Sequence, residues 1–326
     1  MSRENPRLDR GAYEFFDLQP TSGDVVSEIL AGLTSTPKRI SPKFFYDEVG
    51  SKLFEDITRL QEYYPTRTEM ALFDAHLPEV AAQIGAGVCL IEYGSGSSLK
   101  IRKVLQSLTP RAYVPVDISA DHLQDNARRL HADFPELEVF PVCADFTQPF
   151  TLPARVAHYN KVGFFPGSSI GNFEPEAALG FLQTVRESVG DGGLLLIGVD
   201  RKKPRDILER AYDDAQGVTA AFNRNALINI NRITGANFDP HTFGHIAHYN
   251  DTLGCIQMFL EARQAQRVEV AGQVIQLTAG ERIHTENSFK YTPDEFLQLS
   301  ERAGFAQAGF WSDANAWFSL FLMRAI

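Results

Sequence analysis

The middle of the chain alternates between short apolar runs and longer amphipathic segments. The apolar runs have the length of buried strands, and the segments between them repeat their apolar residues at helical spacing. The strand-like runs are residues 87–94, 111–119, 137–146, 161–173 (a strand and its loop) and 193–200, and the helical segments are residues 68–84, 99–108, 121–134 and 174–189. Strands that alternate with helices indicate βαβ units, so the pattern predicts a parallel, doubly wound sheet.

The alternation stops after Asp200. Residues 201–231 predict one long helical stretch that contains a glycine. Residues 255–277 predict antiparallel strands with a turn at residues 271–273. The region from about residue 202 to 290 therefore has the pattern of an insertion into the α/β core.

The first strand of the core ends in a glycine-containing turn, Gly94-Ser95-Gly96, after the acidic Glu92. A dinucleotide-binding turn requires a third glycine, where this chain has Leu99. A P-loop requires Lys directly after its second glycine, whereas three residues separate Gly96 from Lys100. The turn therefore favours a ligand with a ribose and a charged amino-acid tail, but no pyrophosphate. Lys100 could reach the carboxylate of that tail, although it could also lie on a solvated helix face.

Acidic residues end the next two predicted strands. Asp117 follows the glycine turn by about 20 residues, where a carboxylate can accept hydrogen bonds from ribose hydroxyls. Asp145 can accept the adenine amino group while the ring of Phe146 lies against the base. Each aspartate could instead cap the following helix. Together with Gly94, the two acids make S-adenosylmethionine the predicted cofactor.

The end of the chain agrees with that cofactor. Residues 292–304 predict a helix and residues 305–326 predict two strands, and class I methyltransferases complete their sheet with such a unit. The predicted fold is α/β: a class I methyltransferase, Rossmann-like seven-stranded sheet with an inserted α+β substrate-binding domain.

Three parts of the chain are predicted from these boundaries. They are an N-terminal segment that covers the active site (1–65), the methyltransferase core (66–201 plus 291–326) and the inserted substrate-binding domain (202–290).

Composition restricts the partners. The net charge is −10 and no run of Lys or Arg is present, which argues against nucleic acid as a partner. The longest apolar run, residues 192–199, is too short to span a bilayer, and the first residues lack the apolar stretch of a signal peptide. Cys89, Cys143 and Cys255 are expected to be buried thiols in a reducing compartment. We therefore expect a cytoplasmic protein without a membrane partner, acting as a monomer on a small molecule.

Three longer motifs carry a family resemblance. They are FFYDEVGSKLFEDITRLQEYYPTRTE (44–69), FFPGSSIGNFEP (164–175) and RAYDDAQGVTAAFNRN (210–225). From about residue 40 to its C-terminus the chain resembles the S-adenosylmethionine-dependent histidine Nα-methyltransferases of ergothioneine biosynthesis. The resemblance implies Nα-trimethylation of L-histidine, through its mono- and dimethyl forms, to hercynine, the first step towards ergothioneine. It implies no metal ion.

The resemblance also assigns roles around the reacting nitrogen. Asn172 and Tyr212 match the positions that hold the α-carboxylate, and Tyr46 matches a residue beside the amine, whose hydrogen bond a phenol oxygen can accept. Gly167 begins the loop to Asn172, where glycine lets the backbone approach the ligand closely. Tyr64 matches a cofactor contact.

The imidazole is expected to be recognised near residues 284–292. Glu286 and Ser288 match positions that hydrogen-bond the ring, and Met258 matches the apolar wall beside it. A site built for such bonds disfavours a ligand that cannot form them. Ser169 stands where the family pattern leads us to expect Thr, but it keeps the hydroxyl.

Three histidines suggest a competing metal site. His241, His245 and His248 would share one face of a helix, and three such residues could bind zinc. Gly244 interrupts the run and no nearby carboxylate is an obvious fourth ligand, so a packing or solvated role ranks first.

Two other functions stay open at this point. One is an N-methyltransferase for another aromatic amino acid or a small amine, and the other is a catalytically silent S-adenosylmethionine-binding partner of a larger complex. Buried Tyr and Asn are commonly structural, and Met commonly fills a core. The pair Asn172 and Tyr212 argues against the silent protein, because such a protein needs no substrate pocket.

Overall fold

The computed structural model describes residues 12–18, 22–95 and 98–326. The strands are β1 Phe16–Asp17, β2 Lys38–Arg39, β3 Cys89–Tyr93, β4 Ala112–Asp117, β5 Glu138–Val139, β6 Val142–Cys143, β7 Lys161–Phe165, β8 Leu194–Asp200, β9 Phe243–Asn250, β10 Cys255–Ala262, β11 Gln266–Val270, β12 Gln273–Leu277, β13 Arg282–Phe289, β14 Phe305–Ser312 and β15 Phe318–Ala325. The α-helices are α1 Ser22–Thr34, α2 Glu48–Ile57, α3 Tyr64–Ile84, α4 Ser98–Leu108, α5 Ala120–Asp133, α6 Pro175–Val189, α7 Arg205–Tyr212, α8 Val218–Thr234 and α9 Pro293–Arg302.

A central sheet has the strand order β1-β6-β4-β3-β7-β8-β15-β14, and β5 pairs with β4. Strands β6, β4, β3, β7 and β8 are parallel to one another, whereas β15 is antiparallel to both β8 and β14. Consecutive side chains of β3 serve opposite faces: Ile91 shares an apolar core with Phe181 of α6, and Leu90 shares another with Val104 of α4. Helices cover both faces, which confirms the predicted α/β fold.

Seven strands of this sheet correspond to predicted strands, and the two short strands β1 and β5 are additional. Strand β1 lies beside β6, and β5 precedes β6 in the chain. The predicted strand 137–146 divides into β5 and β6 around Pro141, because proline has no N–H to donate to a ladder.

The predicted helical stretch 201–231 is two helices, α7 and α8. Gly217 has φ +74° between them, and the carboxylate of Asp214 accepts hydrogen bonds from the N–H groups of Val218 (3.0 Å) and Thr219 (2.7 Å). These bonds begin α8 afresh, so the expectation of one continuous helix is wrong.

The predicted antiparallel structure of the insertion is confirmed. Strands β11 and β12 form a hairpin, and Ala271 and Gly272 between them both have positive φ (46° and 80°). A second sheet has the order β2-β13-β10-β9, in which β2 pairs in parallel with β13 and the other pairs are antiparallel.

The N-terminal segment and the insertion share apolar packing. We call the cluster of buried residues between Ile29 and Tyr64 and between Leu208 and Ile283 the second core. Within it the rings of Phe45 and Phe222 lie 4.7 Å apart. Asn229 of α8 donates a hydrogen bond to the carbonyl of Phe44 (2.9 Å). The division of the chain into three parts stays a prediction, and the second core links the first part to the third.

None of the helices in the described part of the chain is both long and apolar enough to cross a membrane.

Candidate active site

One cavity of about 50 Å³ lies between the central sheet and the second core. The residues predicted to bind or orient the substrate all line it: Tyr46, Gly167, Asn172, Tyr212, Met258, Glu286 and Ser288. The wall also includes Phe54, Ile57, Tyr63, Ser168, Ser169, Ala211, Thr219 and Phe222. Residues from five separate stretches of sequence thus meet around this cavity.

Tyr46 ends a short 3₁₀ turn, Pro42–Phe45, and its N–H donates to the carbonyl of Lys43 (3.3 Å). Its ring packs edge-on against Phe54 (5.8 Å) and Phe222 (5.6 Å). Burial raises the pKa of Tyr46 well above its usual range, and the nearby carboxyl of Glu286 adds to that shift. The phenol therefore keeps its proton and can orient a ligand through a hydrogen bond.

The loop that carries Asn172 fits tightly against β13. Gly167 and Ser168 have positive φ (77° and 59°), and a 3₁₀ turn, Ser169–Asn172, follows. A Cβ on Gly171 would lie 2.6 Å from the carbonyl oxygen of Phe289, so only glycine fits without displacement. This contact holds Asn172 at the cavity beside the strand that carries Glu286.

Glu286 and Met258 are neighbours across two strands. They are directly paired in the β10–β13 ladder, so their side chains share the face of the sheet that lines the cavity. Glu286 is only 6% exposed, and this burial raises its pKa to about 8, while the ammonium of Lys290 opposes the shift. A carboxyl group that is largely shielded from water, next to an apolar wall, can accept a hydrogen bond from the N–H group of a ring that packs against that wall.

Tyr212 and Ser288 meet in the wall of the cavity. Their hydroxyl oxygens lie 2.7 Å apart, and Lys290 donates to both, at 2.9 Å and 2.8 Å respectively. The Lys290 ammonium also pairs with Asp200 (2.8 Å). Lys290 and Asp200 were not among the predicted site residues, although Asp200 ends a core strand just as Asp117 does.

The residues predicted to bind the cofactor lie together at the carboxyl edge of neighbouring strands. Strands β6, β4 and β3 are adjacent, and their ends carry or precede Asp145, Asp117 and Gly94 respectively. Gly94 has φ +77°, and a Cβ there would lie 3.6 Å from the ring of Phe146. Gly96 and Ser97, the second half of the glycine turn, lie outside the described residues.

Both aspartates also organise their own loops. An Oδ1 atom of Asp117 accepts from the N–H of Ser119 (2.9 Å), one residue before α5. Asp145 accepts from the N–H (3.0 Å) and hydroxyl (2.6 Å) of Thr147 in a loop without a helix. Neither aspartate is the N-cap of a helix, because Ser119 is the N-cap of α5 and no helix directly follows Asp145. Burial raises the pKa of Asp117, which the N–H of Ser119 opposes.

Lys100 does not lie on a solvated helix face, because it is only 9% exposed. Its ammonium pairs with the buried Glu69 at 2.7 Å. The other oxygen of Glu69 accepts from the N–H of Gly167 (2.8 Å). Glu69 thus joins the cofactor helix α4 to the loop that begins the substrate site.

The two tyrosines of the EYYPT motif have different surroundings. The ring of Tyr63 lines the cavity, 6.2 Å from that of Tyr212. The hydroxyl of Tyr64 lies 2.7 Å from an oxygen of Asp200 and accepts from Lys203 (2.7 Å). The cofactor contact assigned to Tyr64 stays a prediction.

The three histidines do not share a helical face. His241 lies in a 3₁₀ turn and the other two lie on β9, three residues apart and therefore on opposite faces. His245 is held between the side chain of Asn223 (2.8 Å) and the carbonyl of Tyr212 (2.8 Å), and His248 stacks on Phe259. Within residues 12–18, 22–95 and 98–326, no three His, Cys, Asp or Glu side chains are arranged to hold a metal ion.

Comparison with known proteins gives consistent similarities. The profile of a family described as histidine-specific, SAM-dependent methyltransferase matches residues 25–325. A histidine N-alpha-methyltransferase of Mycolicibacterium smegmatis is 40% identical over 90% of this chain and 93% of its own, and one of Mycobacterium tuberculosis is 39% identical over the same shares. Ergothioneine biosynthesis protein 1 of Neurospora crassa is 30% identical over 86% of this chain and 32% of its own.

Proposed function

Because the chain belongs to the family of S-adenosylmethionine-dependent, histidine-specific methyltransferases, we propose that it trimethylates the α-nitrogen of L-histidine. The product is hercynine, and the reaction is the first step towards ergothioneine. The observation that carries the proposal is the single cavity lined by the predicted carboxylate, amine and imidazole contacts. Methyl transfer to another aromatic amino acid or to a small amine is not favoured by these relatives.

The residues at the strand ends suit the cofactor. S-adenosylmethionine supplies an electrophilic methyl group on a sulfonium. Asp117 would accept the ribose hydroxyls and Asp145 the adenine amino group, with the ring of Phe146 against the base. Gly94 leaves space beside that ring. Lys100, next to Gly167, would hold the amino-acid carboxylate of the cofactor, 3.3 Å from where a Cβ of Gly167 would be.

The cavity residues suit a zwitterionic amino acid whose nitrogen must stay free. Asn172 and Tyr212 hold its carboxylate, while Glu286 and Ser288 bond to the imidazole. Tyr46 accepts a hydrogen bond from the neutral amine and so keeps its lone pair in line with the methyl group. Holding the two reactants in this alignment accounts for most of the acceleration expected of such a displacement.

In this proposal the active form is a cytoplasmic monomer, and its substrates are L-histidine and its mono- and dimethyl forms. The core 66–201 plus 291–326 supplies the cofactor edge, and the segment 1–65 with the insertion 202–290 supplies most of the substrate wall. The second core, which joins the latter two, supports this division.

The test is incubation with S-adenosylmethionine and each of the twenty standard amino acids, with products read by mass. Histidine should gain three methyl groups and the others should gain few or none. The Glu286→Ala variant should raise the histidine KM by about 10- to 100-fold and gain relative activity on tryptophan or phenylalanine, whose rings need no partner there. Preferred methylation of another amino acid by the wild type would reject histidine as the substrate.

A further inference from the structure

The fully buried ammonium group of Lys290 lies next to Tyr212, a residue proposed to hold the substrate carboxylate. The side chain of Lys290 is 0% exposed, and its three N–H bonds are used by Asp200 (2.8 Å), Tyr212 (2.9 Å) and Ser288 (2.8 Å). None of these donors is left for a ligand. Lys290 can therefore influence a ligand only through its charge and through the two hydroxyl groups that it holds.

This cluster contains more positive than negative charge. Asp200 is paired with two ammonium groups, those of Lys290 and Lys203 (2.5 Å). Although burial alone would raise the pKa of Asp200, the two lysines hold it below its usual range, so one carboxylate faces two cations. An unbalanced buried charge is costly, and a ligand that brings the opposite charge relieves that cost.

Two other acidic groups lie near the lysines of the cluster: Asp313 near Lys203 and Glu286 near Lys290. Burial raises the pKa of Glu286 to about 8, so this carboxyl is mostly neutral at neutral pH. Burial also lowers the pKa of Lys203 to about 8, but its pairing with Asp200 opposes the loss of the proton. The excess positive charge therefore lies on the side of Tyr212 and Ser288.

The direction of the hydrogen bonds explains how the charge of Lys290 can act on the ligand. Because Lys290 donates to the oxygens of both Tyr212 and Ser288, each hydroxyl must point its own proton elsewhere. Without a ligand, one of these protons lies between the two oxygens, which are 2.7 Å apart. A carboxylate at Tyr212 can accept the phenol proton, and the bond is strengthened because the phenol is itself polarised by the ammonium.

We propose that Lys290 is a specificity-determining positioning residue: through the hydroxyl of Tyr212, to which it donates, it makes the site select substrates whose α-carboxyl group is ionised. This inference rests on the proposed function and adds a residue outside the cavity wall. It attributes recognition of the α-carboxylate to a buried charge and leaves the choice of side chain to Glu286, Ser288 and Met258.

A purely structural role for Lys290 makes a different prediction. If the lysine only joined the end of β13 to β8 through Asp200, its loss would weaken binding of every substrate alike. If it supplies charge to the carboxylate site, its loss should affect a substrate with a carboxylate far more than the matching amide. Histidine and histidinamide differ mainly at that group, and comparing their ratio between variants cancels the difference in their amine pKa.

The experiment measures kcat/KM for histidine and histidinamide in the wild type, Lys290→Gln and Lys290→Met. The ratio of the two substrates should fall by at least about tenfold in both variants, because one buried charge contact is lost. Gln keeps N–H donors, so a fall in that variant isolates the charge. Lys202→Met is the control: it removes a lysine that pairs with Glu295 (2.5 Å) and lies outside the Asp200 cluster, so it should change the ratio by less than about threefold.

A ratio that stays at its wild-type value in a folded Lys290→Gln variant would overturn the proposal. If neither lysine variant folds, Tyr212→Phe carries the test, since it removes the hydroxyl through which the charge acts. That variant should lower the ratio as well, and an unchanged ratio would reject the role of Lys290. Failure of the wild type to methylate histidine rejects the proposed function instead; the same ratio is then measured on the amino acid that is methylated and its amide.

Discussion

At the scale of single residues, the site is a set of buried polar groups whose charge states depend on their neighbours. Burial raises the pKa of Asp117, of Glu286 and of Tyr46, which disfavours the charged form of each group. Asp200 differs because two lysines keep it ionised. Removing Asp117 should therefore weaken cofactor binding, whereas removing the carboxylate of Glu286 should raise the stability of the protein at high pH.

Asp117 gives the first prediction. Asp117→Ala should weaken binding of S-adenosylhomocysteine by about 1–3 kcal/mol, because the ribose hydroxyls lose their acceptor in a buried site. Asp117→Asn keeps an oxygen for the N–H of Ser119 and should still bind more weakly than the wild type. Asp125→Ala, at an exposed position on α5, is the control and should bind normally. Calorimetry that gives wild-type affinity for a folded Asp117→Ala variant would remove Asp117 from the ribose site.

Glu286 gives a prediction about pH and stability. Its pKa is raised to about 8 in the folded protein, above the unfolded value, so the folded state binds the extra proton. The stabilisation linked to this proton is present at low pH and is lost as the pH rises towards 8. Glu286→Gln removes the titration, so its melting temperature should exceed that of the wild type by several degrees at about pH 9, at about 2–4 °C per kcal/mol.

The measurement is thermal unfolding of the ligand-free protein at about pH 6 and about pH 9. Glu301→Gln, at an exposed position on α9, is the control for losing one glutamate. The difference between Glu286→Gln and wild type should grow with pH. An equal difference at both pH values would mean that Glu286 does not carry the proton in the folded state.

The sequence predicted most of the polar residues that line the cavity, but not the network of ion pairs and hydrogen bonds behind them. Asn172 and Tyr212 stand in long motifs with a family resemblance, and Glu286 matches a position to which the resemblance assigns a role, so their places in the cavity wall were predictable. Lys290 and Asp200 depend on a contact between β13 and β8, which are far apart in the chain. A local pattern carries no information about such a distance.

At the scale of elements, the site depends on the contact between a 3₁₀ turn and a strand. The turn Ser169–Asn172 lies against β13, and Gly171 permits the close approach to Phe289. This contact aligns the amide of Asn172 with the carboxyl of Glu286 on the neighbouring strand. The predicted helices and the β11–β12 hairpin follow local periodicity, whereas the break between α7 and α8 depends on the side chain of Asp214, which periodicity does not reveal.

Gly171→Ala tests the contact. The added Cβ would lie 2.6 Å from the carbonyl oxygen of Phe289, so the turn must shift away from β13 and carry Asn172 with it. We expect kcat/KM for histidine to fall by about 100-fold, the scale for an ångström of misplacement. Gly180→Ala is the matched control, because that glycine lies exposed in α6 with open space around it, and alanine favours a helix.

Steady-state kinetics and calorimetry with S-adenosylhomocysteine separate the outcomes. Cofactor affinity should remain within about threefold of wild type in Gly171→Ala, since the altered contact lies on the substrate side. Near-normal activity in that variant would show that the turn and strand can separate without loss of alignment.

At the scale of the whole molecule, the central sheet and the second core support different parts of the proposed site. The central sheet with its helices carries the cofactor edge, and the second core carries Tyr46, Tyr212 and Met258 of the substrate wall. The alternation of strands and helices predicted the central sheet. The second core joins segments on either side of that sheet in sequence, so its assembly could not be predicted from periodicity.

The Phe45→Ala variant tests whether the second core and the central sheet unfold independently. Phe45 is fully buried in the second core against Phe222, and it directly precedes Tyr46. Deleting its ring leaves a cavity, which should lower the free energy of unfolding of the second core by about 3–5 kcal/mol. Histidine affinity should fall at least about tenfold because the wall formed by Tyr46 and Phe222 loosens.

The cofactor edge should be spared, because Gly94 and Asp117 lie at the ends of β3 and β4, whose apolar clusters do not include Phe45. Calorimetry should therefore find S-adenosylhomocysteine affinity within about threefold of wild type, together with an early unfolding transition that removes only the histidine site. Phe310→Ala, at a residue 37% exposed on β14, is the matched loss of a ring and should leave both affinities unchanged. If both affinities fell in parallel in Phe45→Ala, the second core and the central sheet would unfold as one cooperative unit. Substrate recognition could then not be altered through the second core without cost to cofactor binding.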